Sequence, residues 1–324
     1  MYSVKEISAL VNGAIQERKF PESPAELYDP LRYLLQLEGK RFRPSLLLLA
    51  KNLFSDILED ALNQALGIEY FHTFTLIHDD IMDDAPLRRG MPTVHEKWNS
   101  NVAILSGDVM FVEAFDLISA CAPRHLPKVL KIFNKMAREV CEGQQLDMNF
   151  ERLAHVSIED YLHMISLKTA VLLGCSLQIG AVLGDADEEQ AMHLYLFGRN
   201  MGIAFQLRDD LLDVYGSPDV FGKRVGGDIL ANKKTFLLLK ALELASGSVQ
   251  SELEILISAP DSDPQEKISR VKAIYDLLNI KELAAETAST YSHEAFTHLQ
   301  ALNIPEERKQ ILIRFCAEFS KRQS

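Results

Sequence analysis

Phe71-His-Thr-Phe-Thr-Leu-Ile-His-Asp-Asp-Ile-Met-Asp-Asp-Ala-Pro-Leu-Arg-Arg-Gly90 is the stretch on which the reading of the whole chain turns. Its first part is apolar with helical spacing, and its second crowds four aspartates, Asp79, Asp80, Asp83 and Asp84, into six positions. On a helix, Asp79 and Asp83 share a face one turn apart, with side chains roughly 5–6 Å from each other. At an effective surface dielectric, like charges about 4 Å apart cost on the order of 4 kcal/mol, so the arrangement asks for a bound cation or a carboxyl held protonated. Asp209, Asp210 and Asp213 repeat the spacing after Gly202-Ile-Ala-Phe-Gln-Leu-Arg208. A single cluster would pass as a solvated helix face. Two matched clusters, each where an apolar helix reaches an end, point instead to a cavity mouth. Hard oxygen ligands that do not close a cage favour magnesium, which keeps several waters and shares its coordination with substrate phosphates. No nearby His/Cys set supports zinc or copper.

Working outward, nearly every long segment repeats apolar residues at three- and four-residue spacing, while two-residue alternation is scarce. The chain reads as all-α. The spacing predicts helices over Val4–Gln16, Pro24–Leu37, Arg43–Leu53, Ile57–Met82, Ala103–Ala120, Leu126–Met148, Ile158–Leu173, Glu188–Val214 and Phe236–Leu244, with several more from Pro264 onward. No Pro/Ser-rich linker divides it and no repeat of twenty to fifty residues emerges, so residues 1–324 are read as one domain. The glycine-dense stretch Tyr215–Lys234 would permit a boundary by composition. Its interleaved acidic and basic residues fit an active-site lid better.

An apolar fraction of 47% over 324 residues supports a sizeable core. The net charge of −12 argues against a nucleic-acid binder, so an anionic ligand needs a local basic patch. Cys121, Cys141, Cys175 and Cys316 are widely spaced and suit a reducing compartment. Met1–Gly13 lacks the apolar core of a signal peptide, and Thr169–Gly184 is interrupted by polar residues and shorter than the ~20 residues of a membrane span. These features lead to the expectation of a soluble cytoplasmic protein.

Cations complement the acids. Gly39-Lys-Arg-Phe-Arg-Pro44 places Lys40, Arg41 and Arg43 before a helix, and Arg88-Arg89-Gly90 closes the first acidic stretch. Lys168-Thr169 falls in an apolar helix, where an unpaired charge is costly and an anion partner is expected. Lys223, Lys233 and Lys234 lie in the glycine-rich segment. For Arg41 and Lys234 a solvated cation is the simpler reading. Planar guanidinium forks and compact ammonium groups together suit a polyphosphate ligand. His72 lies two turns before Asp79 on the same face, while His78 and His95 read as supporting or structural. No local pattern suggests a covalent nucleophile.

In combination and order these motifs resemble the trans-type polyprenyl diphosphate synthases. The resemblance rests on Gly39-Lys-Arg-Phe-Arg-Pro44, His72, Asp79-Asp-Ile-Met-Asp83 with Arg88-Arg-Gly90, Gly143-Gln-Gln-Leu-Asp147, Lys168-Thr169, Phe205-Gln-Leu-Arg-Asp-Asp-Leu-Leu-Asp213, and Gly222-Lys223 followed by Gly227-Asp-Ile-Leu-Ala-Asn-Lys233. It implies an antiparallel helical bundle around a central cavity, a homodimer, and magnesium as the cofactor, with three ions when substrate is bound. By similarity Asp79, Asp83 and Asp209 would coordinate the metal, assisted by Asp80, Asp210 and Asp213. Arg88, Lys168, Thr169, Gln206, Lys223 and Lys233 would bind the allylic diphosphate, and Lys40, Arg43, His72 and Arg89 isopentenyl diphosphate. Catalysis is expected to run through Asp79, Asp80, Asp83, Lys168, Asp209, Asp210 and Lys223. Glu38 and Asn232-Lys-Lys-Thr235 depart from the commonest family pattern.

The implied reaction is ionisation of the allylic diphosphate, attack by the double bond of isopentenyl diphosphate, and loss of a proton. It is electrostatic chemistry without a protein nucleophile. Product length should follow cavity depth. Phe74 and Phe71 stand five and eight residues before Asp79 on one stripe, with Phe74 as the expected floor and Phe71 as floor or simple core. The twenty-carbon geranylgeranyl diphosphate is the expected product, with fifteen-carbon farnesyl diphosphate as the alternative. A class I terpene cyclase fits less well, because the second cluster is Asp-rich and the isopentenyl diphosphate residues are present. Intact clusters likewise disfavour a silent helical partner subunit.

Overall fold

The computed structural model describes residues 2–37, 39–216, 226–258 and 263–321. They are almost entirely helical: α1 (Val4–Glu17), α2 (Ala25–Gln36), α3 (Phe42–Asn52), α4 (Leu62–Met82), α5 (Val94–Lys97), α6 (Ser100–Ser119), α7 (Leu126–Arg152), α8 (Ile158–Ile165), α9 (Val171–Leu183), α10 (Glu188–Tyr215), α11 (Gly227–Leu230), α12 (Phe236–Leu244), α13 (Gly247–Ser258), α14 (Pro264–Leu277), α15 (Ile280–Gln300) and α16 (Glu306–Lys321). Local chemistry sets several starts. Ser3 and Glu6 form a reciprocal capping box on α1, Ser157 and Asp160 do the same on α8, and Asn99 caps α6.

The differences from the sequence reading have physical causes. The helix expected from Ile57 begins at Leu62, after a 3₁₀ turn over Glu59–Ala61, and Ile57 itself is largely exposed. The helix expected to stop at Leu173 continues to Leu183, through a π turn over Ser166–Ala170. Ile158–Leu183 is therefore long and apolar enough to cross a membrane, yet 83% of its most apolar window is buried inside the protein, as in a core helix. A two-stranded hairpin went unforeseen: β1 (Leu87–Arg88) pairs antiparallel with β2 (Met91–Pro92). Arg89 and Gly90 at its tip both have positive φ, 52° and 76°, the conformation a tight two-residue hairpin turn demands.

The chain divides into two compact units. One comprises residues 1–135, 175–195 and 302–313; the other comprises 136–174, 196–301 and 314–324. In the first, α4 is buried at every position from Gln64 to Phe71 and lies along α6, where Gln64 donates to the Leu117 carbonyl at 3.0 Å. The four leucines Leu46 to Leu49 of α3 fill the core beside it. In the second, Tyr161, Ile165, Ala170, Ile203, Leu207, Phe236 and Tyr275 belong to one apolar core.

Candidate functional site

In the first unit α4 carries its aspartates to its C-terminal end, and successive residues there part company. Asp83 is exposed and Asp79 partly so, whereas Asp80, about 100° further round the helix, is buried at 3% exposure. The hairpin brings Arg88 back over this end. Its Nε donates to both Asp80 carboxylate oxygens, at 2.9 and 2.8 Å, Nη2 lies 2.6 Å from Oδ1, and Asp79 is 3.8 Å away. Burial pushes the Asp80 carboxyl up, and Arg88 opposes that shift. Asp80 is thus the counter-ion that fixes Arg88, while Asp79 and Asp83 share the outer face. Their hard, anionic oxygens fit magnesium, which needs few protein ligands. Within neither unit do three described His, Cys, Asp or Glu side chains converge on one metal-sized site.

Beside this end, Arg43 Nη1 lies 3.1 Å from His72 Nε2. Burial, reinforced by Arg43, Arg89, Arg88 and Arg41, holds the His72 pKa well below its ordinary value, so the ring is neutral and Nε2 accepts from Arg43. Among the described residues, Arg43 Nε has no hydrogen-bond partner. Burial lowers the Arg43 pKa to about 10, with Glu69 opposing the shift and Arg89 adding to it. Lys40 and Arg89 are exposed. Guanidinium groups crowded this way suit a polyanionic ligand.

Two turns back from Asp79, Phe71 is fully buried, with its ring 5.4 Å from Phe133 and 5.6 Å from Phe74. Phe74 is partly exposed, stacks on Phe111 of α6 at 5.1 Å and meets His78 edge-on at 4.8 Å. Phe111 carries no local signal in the sequence and is found only through the packing of α6 on α4.

In the second unit α10 presents Asp209 and Asp213 partly exposed, and it too turns its middle aspartate inward. Asp210, 5% exposed, accepts from the Tyr161 hydroxyl and from Gln206 Nε2 at 3.2 Å. Burial raises its pKa to about 7 against the effect of these hydrogen bonds. Tyr161 was missed by the sequence reading, since nothing local ties it to a residue 49 positions away. Asp213 takes a further part: its carboxylate accepts from the Asp228 N–H at 3.0 Å and its carbonyl from the Gly226 N–H at 2.7 Å, anchoring the start of α11.

Lys168 and Thr169 sit on the π turn, and Lys168 Nζ meets Asp147 Oδ2 of α7 at 2.6 Å. The approach requires Gly143: a Cβ there would lie 2.2 Å from the Lys168 backbone nitrogen. Lys233 is exposed, its backbone N–H bonded to the Asp228 carbonyl at 2.9 Å. Lys234 is not a solvated cation. Its Nζ donates to the Phe150 carbonyl at 2.6 Å and to that of Leu153, at the C-terminal end of α7, where a positive charge is favourable. Lys223 lies outside the described residues.

All-helical units presenting paired aspartates next to clustered cations have the chemistry of enzymes that handle diphosphates. The family described as polyprenyl synthetase matches residues 24–278. The geranylgeranyl diphosphate synthase of Methanosarcina mazei is 42% identical over 242 residues, 74% of this chain and 75% of that protein. The geranylfarnesyl diphosphate synthase of Natronomonas pharaonis is 35% identical over 98% of this chain and 96% of its own. Among solved structures, a geranylgeranyl pyrophosphate synthase superposes with a TM-score of 0.95 at 40% identity, covering 100% of both chains. The chain belongs to the polyprenyl synthetase family and is a prenyltransferase.

Proposed function

We propose that this prenyltransferase condenses isopentenyl diphosphate head-to-tail with allylic diphosphates and releases geranylgeranyl diphosphate. The observation that carries the product length is Phe74, a ring five residues before Asp79, wedged against Phe111. Five helical residues span about 7.5 Å, so a chain growing down this stripe from Asp79 meets an aromatic stop within two turns. The relatives named as geranylgeranyl diphosphate synthases at 34–42% identity support the same length. The relative named as a geranylfarnesyl diphosphate synthase favours a second reading, one unit longer. Phe74→Ala tests the floor: products lengthen if Phe74 is the stop, and an unchanged distribution removes it from that role.

In this reading Asp79, Asp83 and Asp209 hold magnesium, assisted by Asp80, Asp210 and Asp213. Magnesium, when bound, neutralises the leaving diphosphate and so lowers the barrier to ionisation. Arg88, Lys168, Thr169, Gln206, Lys223 and Lys233 grip the allylic diphosphate, and Lys40, Arg43, His72 and Arg89 bind isopentenyl diphosphate. Arg43 supports this assignment with an Nε donor and a His72 partner that stays neutral. Asp147 holds Lys168 in place, and the departing diphosphate is the base that takes the proton. The family match spans residues of both compact units, which supports one working domain. Ile104, Leu105, Val112 and Phe115 are apolar and exposed on α6, and this face suits a second copy of the chain. Sedimentation at micromolar concentration tests the homodimer: a single species of monomer mass contradicts it. A reducing cytoplasmic setting fits the four free cysteines.

A further inference from the structure

Arg41 stands between two residues assigned to isopentenyl diphosphate, Lys40 and Arg43, and is itself turned away from solvent. Its backbone is left-handed, φ 42° and ψ 42°, at the start of α3, a conformation that disfavours a side chain. The guanidinium explains why it holds. Nη1 meets Glu69 Oε1 of α4 at 2.7 Å, and Nη2 donates to the carbonyls of Leu35 and Leu37 at 2.8 and 3.0 Å, at the end of α2. Arginine and glutamate are both buried, with side chains 9% and 4% exposed. Gly39 fits against this fork and Arg89: a Cβ at that position would lie 2.6 Å from Arg89 Nη1 and 3.3 Å from Arg41 Nη1.

Glu69 lies one turn before His72 on α4, and its charge steadies both Arg43 and Arg89. One buried carboxylate thus serves a group of guanidinium groups that would otherwise repel one another. We propose that Glu69, acting through Arg41, is the positioning residue of the isopentenyl diphosphate site. The pair ties the end of α2 and the start of α3 to the body of α4 and sets where Lys40, Arg43, His72 and Arg89 stand before the diphosphate arrives. This inference rests on the assignment of those four residues to isopentenyl diphosphate.

Coulomb's law alone makes the opposite forecast, which gives the test its sign. Removing an anion from the neighbourhood of a diphosphate should tighten binding, whereas losing the scaffold should weaken it. Steady-state kinetics of Glu69→Gln with magnesium, varying each substrate in turn, separates the two. The KM for isopentenyl diphosphate should rise about ten-fold, with the allylic KM and kcat each within about three-fold of the parent. Breaking a buried ion pair can unfold a protein. Glu69→Asp retains the charge one methylene short of Arg41, and should show the same split at smaller amplitude. A folded variant whose isopentenyl diphosphate KM is unchanged or lowered overturns the proposal, as does an equal loss on both substrates. Failure of the parent enzyme to consume isopentenyl diphosphate would count against the functional assignment itself, a result distinct from either.

Discussion

The two aspartate clusters share one spacing and differ in what answers the buried middle carboxylate. Asp80 in the first unit faces the Arg88 guanidinium, a full positive charge; Asp210 in the second faces a phenol and an amide. An arginine compensates burial with charge, so Arg88 opposes the rise that burial imposes on the Asp80 carboxyl. Tyr161 and Gln206 offer only hydrogen bonds, and the Asp210 pKa climbs to about 7. Identically spaced aspartates therefore conceal different electrostatics, set by partners 8 and 49 residues away.

The largest effect is expected at the outer acids, which the two clusters share. Asp79→Ala should lower kcat by about 10³-fold, because a metal contributes several kcal/mol of charge stabilisation. A ten-fold loss or less in single-turnover assays would remove Asp79 from the metal set. Next come the middle residues, where the clusters should diverge. Asp80→Asn leaves the part-buried Arg88 without its counter-charge and should destabilise the fold by about 1–3 kcal/mol in urea denaturation. Asp210→Asn imitates the protonated carboxyl without the cost of taking up a proton on folding, and should not destabilise the fold near pH 6. Equal losses in the two variants would dissolve the distinction.

Acidity should separate the units further. The folded-state pKa of Asp210 is raised above its unfolded value near 3.9, so the folded protein binds the extra proton between that value and about 7. Its contribution to stability is full below the unfolded pKa and declines as pH rises through about 7. His72 behaves in reverse. Its folded pKa is depressed, so its contribution is present above about 6.5 and declines as pH falls. Melting curves of metal-free protein should show Asp210→Asn removing a fall in stability as pH rises from about 4 to 7, and His72→Gln removing a fall as pH drops below about 6.5. The smallest effect is expected at Lys234, where Ala substitution removes a cap on α7 worth about 0.5–1 kcal/mol.

Much of this was legible in the chain. Helical periodicity gave the fold class, and the repeated aspartate spacing located both clusters before any contact was known. Local sequence could not reveal pairings that exist only after packing. Tyr161 meets Asp210, Glu69 meets Arg41, and Phe111 meets Phe74 across gaps no motif spans. Arg41 and Lys234 read as solvated cations because charge suggests solvent. Both instead spend their donors on helix-end carbonyls, and Arg41 adds a buried carboxylate. The helix expected over Ile158–Leu173 crosses the π turn, and its run on to Leu183 was missed because Gly174, Ser176, Gln178 and Gly180 interrupt the apolar spacing there.

The most direct measurement is to supply purified enzyme with isopentenyl diphosphate, magnesium and allylic primers of five, ten and fifteen carbons, then size the chains released. Twenty carbons from every primer is the predicted result. No consumption of isopentenyl diphosphate, or a dominant product of fifteen or twenty-five carbons, would contradict it.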